Sequence, residues 1–264
     1  MSSRTIFDLP VEDIVVPHIG KYLTLRDLLT FRKASVACEY LADAILGRRT
    51  KLTIPPWMTA EHFEVITETC HRVRKVVLDG LDWLTDRLLA KFLQNNPLLE
   101  DVTIDSCCGI SSRGLRPLAM SRELRVLSVP KIKFCDDFLQ RLGRHNRRLR
   151  KVDFSNVCRF SPKYLQSFLE TQPCLTVIDL RGARMDIHSS LFTIPQVCRD
   201  LEGLYIDGCF GVTEAAILNI VNKCPKFCEI SMDCYIPQST LDYIKSKGIY
   251  VLRKPAYEAE GFFM

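Results

Sequence analysis

The sequence predicts an α/β solenoid, a stack of strand–turn–helix units, with a small helical element set before it. Three observations predict this. A short apolar pattern returns every 25 or 26 residues. Between returns lie helix-like stretches opened by threonine and closed by proline. Residues 1–50 share none of this pattern.

The return is read from seven anchors, Val73, Leu99, Leu124, Leu149, Leu175, Leu201 and Phe227, separated by 26, 25, 25, 26, 26 and 26 residues. After each anchor the same spacing follows: Leu99, Val102, Ile104, Cys107; Leu149, Val152, Phe154, Val157; Leu175, Ile178, Leu180, Ala183; Leu201, Leu204, Ile206, Cys209. The first copy, Val73, Val76, Leu78 and Leu81, is looser, and the last is Phe227, Ile230, Met232 and Tyr235. This is the leucine-rich-repeat spacing L-x-x-L-x-L-x-x-N/C-x-L. The fourth and sixth positions lie two apart, so on a short strand both point into the core. The ninth is a small or thiol side chain where the chain turns away. Helices follow in "TDRLLAKFL" after Thr85 and "TEAAILNIV" after Thr213, where a threonine N-cap precedes apolar residues at helical spacing. Pro97, Pro173 and Pro225 then end the helices. About seven such units give a solenoid with strands on the concave face and helices on the convex face.

Composition agrees with a folded protein and narrows its setting. The 264 residues are 47% hydrophobic and 25% charged. They suffice for one large domain, or a medium one with an appendage. No apolar run approaches membrane-spanning length, and "MSSRTIFDLP" lacks the apolar stretch of a signal peptide. A cytoplasmic location is expected, with the nucleus as a second compartment, and the 12 cysteines as free thiols. Repeat phase accounts for several of them. Cys107 and Cys209 take the ninth position, and Cys70, Cys174, Cys198 and Cys224 precede anchors at helix ends. A zinc site at Cys224, Cys228 and Cys234 is the sharper alternative, but paired C-x-x-C spacing is missing. No metal and no cofactor is expected.

The sequence carries no P-loop, G-x-G-x-x-G, G-x-S-x-G or H-E-x-x-H motif, and its five histidines fall on different repeat phases. No catalytic residues are assigned, so the chain is expected to act by binding.

The first repeat of a solenoid is exposed unless capped. A degenerate strand is expected at Leu52 and Ile54, then a helix over Ala60 to Cys70. Residues 5–47 remain, with short helices expected in "VEDIVVPHIGKYL", "LRDLLTFRKAS" and "ACEYLADAIL". Ile14, Ile19, Tyr22 and Leu23 share a stripe that Pro17 must bend. Leu25, Leu28, Leu29 and Phe31 cover more of the second helix than one buried face needs. Such surplus apolar surface on a small appendage suggests a docking face.

These residues carry a family resemblance. Leu9-Pro10-x-Glu12, Ile14, Tyr22-Leu23, Arg26-Asp27-Leu28-Leu29, Phe31 and Leu41 resemble an F-box, the helical motif that docks onto Skp1. An F-box followed at once by cysteine-type leucine-rich repeats resembles the F-box/LRR proteins. The resemblance implies an F-box over residues 1–50 and a repeat domain over 51–264. It implies a non-catalytic substrate receptor of an SCF ubiquitin ligase, which promotes ubiquitination and proteasomal degradation of a protein substrate. Skp1 would be bound directly by Leu9, Pro10, Ile14, Ile19, Leu23, Leu28, Leu29 and Phe31, and cullin-1 and the RING subunit through Skp1. Two departures stand out. The stretch around Val16-Pro17-His18 is longer than usual, and Cys38 stands where an aromatic is frequent. The alternative is a scaffold or inhibitor whose N-terminal helices only cap the solenoid.

In the repeat, the residue between the fourth and sixth positions points out of the concave face: Val77, Thr103, Ser128, Asp153, Asp179, Tyr205 and Ser231. The residue after the sixth lies near it: Asp79, Asp105, Pro130, Ser155, Arg181, Asp207 and Asp233. An acidic surface over the last repeats is expected, taking a basic or mixed segment of the substrate through Asp105, Asp153, Asp179, Arg181, Tyr205, Asp207 and Asp233. The plainer alternative is that Asp79, Asp105, Asp207 and Asp233 bond their own backbone before the turn. The basic run from Arg141 to Lys151 spans a helix end and the next strand. It suits a solvated face better than nucleic acid, since no aromatics are interleaved for base stacking. Phe262 and Phe263 either cap the last repeat or enter the concave face.

Overall fold

The computed structural model describes residues 5–133, 136–157 and 161–252. Among these residues nine strands form one parallel sheet in strict chain order: β1 (Lys51–Ile54), β2 (Lys75–Asp79), β3 (Asp101–Asp105), β4 (Val126–Ser128), β5 (Lys151–Asp153), β6 (Val177–Asp179), β7 (Gly203–Tyr205), β8 (Glu229–Ser231) and β9 (Tyr250–Leu252). Each strand pairs only with its neighbours in sequence, which is the α/β leucine-rich-repeat solenoid the spacing predicts. Helices fill the crossings: α3 (Ala60–Thr69), α4 (Asp86–Asn95), α5 (Asp136–His145), α6 (Pro162–Leu169), α7 (His188–Val197), α8 (Glu214–Lys223) and α9 (Gln238–Ser246). The crossing from β3 to β4 is the exception, a 3-10 helix at Arg116–Met120. Helices need about 10 Å of spacing and strands about 4.8 Å, so the stack curves with strands inside.

The anchors do what their period requires. Val73, Leu99, Leu124, Leu149, Leu175 and Leu201 are buried, as are the paired fourth and sixth positions. The threonine caps hold as well: the hydroxyls of Thr85 and Thr213 accept from the Leu88 and Ala216 N–H groups at 3.4 and 3.3 Å. The ninth position of the last copy is corrected. Tyr235 is 90% exposed, and Ile236 beside it turns inward instead. Strand β9 exceeds the expected units, because Val251 pairs with Ile230 after a step shorter than the usual 25 or 26 residues.

A second ladder runs behind the sheet, three residues before each anchor. There Asn96 Nδ2 donates to the Cys70 carbonyl at 2.9 Å and Asn146 Nδ2 to the Ser121 carbonyl at 3.1 Å. Gln172 Nε2 donates to the Asn146 carbonyl at 2.8 Å, Cys198 Sγ to Gln172 at 3.3 Å, and Cys224 Sγ to Cys198 at 3.7 Å. Five of the units thus satisfy a carbonyl of the unit before them.

The N-terminal residues fold into a π-helical segment (Val11–Ile19), a 3-10 turn (Gly20–Tyr22), α1 (Leu25–Arg32) and α2 (Val36–Gly47). The wide turns absorb the extra length around Pro17, which lacks an N–H. The Val15 N–H reaches the Pro10 carbonyl at 3.2 Å, and that of Gly20 bonds to Val15. Gly20 admits α2 closely, since a Cβ there would meet Ile45 Cγ2 at 2.8 Å. Thr24 and Asp27 form a capping box that starts α1. Arg32 ties α1 to α2 through Asp43 at 2.8 Å. The apolar core is continuous from Val15 to Ile249, so α2 packs on α3 and the N-terminal helices cover the first repeat.

This corrects the expected stripe. Val15 is buried and Ile14 and Tyr22 are exposed, because the π-helical turn rotates the face. Leu28 and Leu29 lie in the chain's own core at 0% and 4% exposure, so they do not present a docking surface.

Candidate functional site

The strand register builds the concave row outright. Val77, Thr103, Ser128, Asp153, Asp179, Tyr205 and Ser231 are successive partners across β2 to β8. Asp79 and Asp105 pair in the row beside it.

The side chains along this face are bonded to one another. Asp153 accepts from Ser128 Oγ and from the Ser155 N–H, both at 2.9 Å. Asp179 accepts from the Arg181 N–H and Nε at 3.0 Å and from Nη2 at 2.5 Å. The same guanidinium lies 5.2 Å from the Tyr205 ring centre. Asp207 accepts from Ser231 Oγ, and Asp233 from the Gly208 N–H at 2.9 Å. Lys131 Nζ sits 3.2 Å from Asp105. The hydrogen bond to Asp179 raises the Arg181 pKa, and burial, followed by a hydrogen bond to Glu229, raises that of Tyr205.

The acidic residues expected on this face are engaged within the chain. Asp105, Asp153, Asp179, Asp207 and Asp233 each have a donor from this chain, and the centre of the face is an Asp179–Arg181–Tyr205 group. Backbone capture before the turn does occur, though at Asp153 and Asp179 rather than where it was expected. Two rim residues escaped the sequence reading: Phe210 is 61% exposed and Tyr235 90%, on the loops after β7 and β8. The available signal was an aromatic at or beside the ninth position, too bulky to turn inward there.

The basic run lies as expected. It joins the end of α5 to β5, with Arg141 paired to Asp137 at 2.9 Å and Arg148 to Glu123 at 3.0 Å. Phe262 and Phe263 lie outside the described residues.

The buried thiols are quiet. Burial pushes Cys198 and Cys209 up to about 12 and Cys70 and Cys224 up to about 11. A raised pKa keeps the thiol protonated and unreactive at neutral pH. Iodoacetamide at pH 8 is expected to alkylate the exposed Cys108, Cys174 and Cys228 in minutes, and these four only after unfolding. Peptide mass mapping over time checks this; equal rates for Cys108 and Cys198 would contradict it.

No protein-family model matches the chain. F-box/LRR-repeat protein 15 of Mus musculus is 28% identical over 118 residues, covering 43% of this chain and 39% of the mouse protein. The rat protein of that name matches equally. The chain is thus similar to F-box/LRR-repeat proteins over part of its length. The match spans well under half of the relatives' length. Among solved structures, Rad7 from the yeast Rad7–Elc1 complex has a TM-score of 0.47 at 14% identity, over 78% of this chain and 69% of that one. The leucine-rich-repeat protein LegL7 of Legionella pneumophila has 0.46 at 11%, over 86% and 81%.

The apolar surface of the N-terminal helical segment stands out. Thirteen large apolar side chains are more than a third exposed among the described residues, and six lie in the N-terminal helical segment: Ile6, Phe7, Ile14, Tyr22, Val36 and Tyr40. Of the eight residues expected to touch Skp1, Pro10 and Ile14 are exposed, and Leu9, Ile19, Leu23 and Phe31 half-buried.

Proposed function

We propose that this chain is a substrate receptor of F-box/LRR type, whose N-terminal helices dock a Skp1-like adaptor and whose concave face holds a protein substrate for a ubiquitin ligase. The observation that carries this reading is the concentration of exposed apolar side chains on the N-terminal helices. A segment needed only as a cap has no reason to keep them in water. The continuous core supports the second half. A receptor works by holding a substrate at a fixed distance from the ligase, and a solenoid joined to its docking helices by one core transmits that distance. The similarity to the F-box/LRR-repeat proteins points the same way.

The test is co-expression with Skp1 and Cul1, then affinity purification of wild type and of Ile14→Asp/Val36→Asp. Both positions are exposed, and an aspartate at the start of α2 suits the helix dipole, so the variant stays folded. Wild type is expected to bring down both partners in stoichiometric amounts, and the variant neither. A soluble wild-type monomer that ignores Skp1 would leave a capped scaffold and sink the ligase reading.

A further inference from the structure

The crossings between strands carry an α-helix on the convex side, except that between β3 and β4, where the outer layer shrinks to the 3-10 helix Arg116–Met120. The loop before it packs closely on α4. Gly114 lies against the start of α4, where a Cβ would come within 2.7 Å of Asp86 Oδ1 and 3.0 Å of its Cα. The Asp86 carboxylate fastens the loop, accepting from the Ser111 N–H at 2.7 Å and from its hydroxyl at 2.6 Å. The short crossing leaves a groove of 680 Å³ against α4. Its floor is apolar: Ala90, Pro97 and Pro117 face it over the buried Leu93, Leu99 and Leu118, with Met120 57% exposed at its edge. Its rim carries Arg113, Arg116 and Arg122, all exposed, and none has an ion-pair partner among the described residues. The one acid lining it, Glu123, is already held by Arg148 at 3.0 Å.

We propose that this groove is a second protein-docking site, taking an acidic segment of a partner protein that seats a large apolar side chain on the floor and carboxylates on the three arginines. Charge complementarity chooses the partner. Three unpaired guanidiniums around an apolar floor favour carboxylates flanking a hydrophobe. Nucleic acid would use the arginines but waste the floor, and no exposed aromatic lines the groove for base stacking. The groove is formed by residues outside both the N-terminal helices and the concave row, so its occupation does not depend on the adaptor.

Fluorescence anisotropy on the full chain tests it, with three labelled probes: a peptide with phenylalanine between glutamates, the same peptide with lysines, and a single-stranded RNA. The glutamate peptide alone is expected to bind. Arg113→Glu/Arg122→Glu, which changes exposed side chains only, should weaken it about tenfold while leaving the melting temperature unchanged. A photo-crosslinking residue at Met120 should capture the same peptide. Equal binding of the two peptides, preference for the RNA, or unchanged affinity in the double variant would overturn the proposal.

Discussion

Asn146→Leu is expected to destabilise the solenoid by about 4 kcal/mol, at roughly 1 kcal/mol for each of four backbone groups left without a partner. Asn146 is fully buried at the end of α5. Its Nδ2 donates to the Ser121 and Leu124 carbonyls at 3.1 and 2.9 Å. Its Oδ1 accepts from the Arg148 and Leu149 N–H groups at 2.9 and 3.1 Å. Leucine matches the volume and supplies none of these. The position lies in the middle of the stack, where each unit is held mainly by its neighbours, so the loss should propagate both ways. Urea denaturation followed by circular dichroism measures it. Asn146→Asp keeps the two acceptor bonds but sets its second oxygen against the Ser121 and Leu124 carbonyls, so at neutral pH it should destabilise at least as much as leucine. A leucine variant within about 1 kcal/mol of wild type would mean that water reaches the turn and the ladder is not structural.

That ladder also marks where the sequence stopped being legible. Apolar anchors announce themselves because one chemistry recurs at a fixed period, and burial follows from period alone. The position three before each anchor is held by Cys70, Asn96, Ser121, Asn146, Gln172, Cys198 and Cys224. Thiol, hydroxyl and amide share no hydropathy, so no pattern joins them, although five of the seven reach the same carbonyl of the preceding unit. Strand β9 was missed because its step is short, and the groove because the loss of a helix is not signalled by any single residue. The candidate site was legible only in part. Register put Asp153, Asp179 and Tyr205 in one row, but spacing says nothing about whether a carboxylate is already taken. Arg181, two residues after Asp179, turns back onto it and converts an acid into half of an ion pair.

The N-terminal helices give the second large effect. Leu28→Ala is expected to lower stability by about 3 kcal/mol, within the range for removing a fully buried leucine side chain. Leu28 is 0% exposed and shares its core with Val15, Leu41, Ala42 and Ile45. Leu28→Asp should go further and melt α1 and α2 from the first repeat, since an unpaired carboxylate cannot be buried there. A sequence reading would choose Leu28 as a docking residue, and its loss would abolish adaptor capture. The cause would be unfolding, so capture by itself cannot distinguish a contact from a prop. The pair of variants does. Leu28→Ala should shift the urea midpoint while, under conditions where it remains folded, still binding the adaptor. Ile14→Asp/Val36→Asp should leave the midpoint in place and lose binding. If Leu28→Ala loses capture with an unchanged midpoint, α1 turns over to bind, and the packing of Leu28 describes only the free chain.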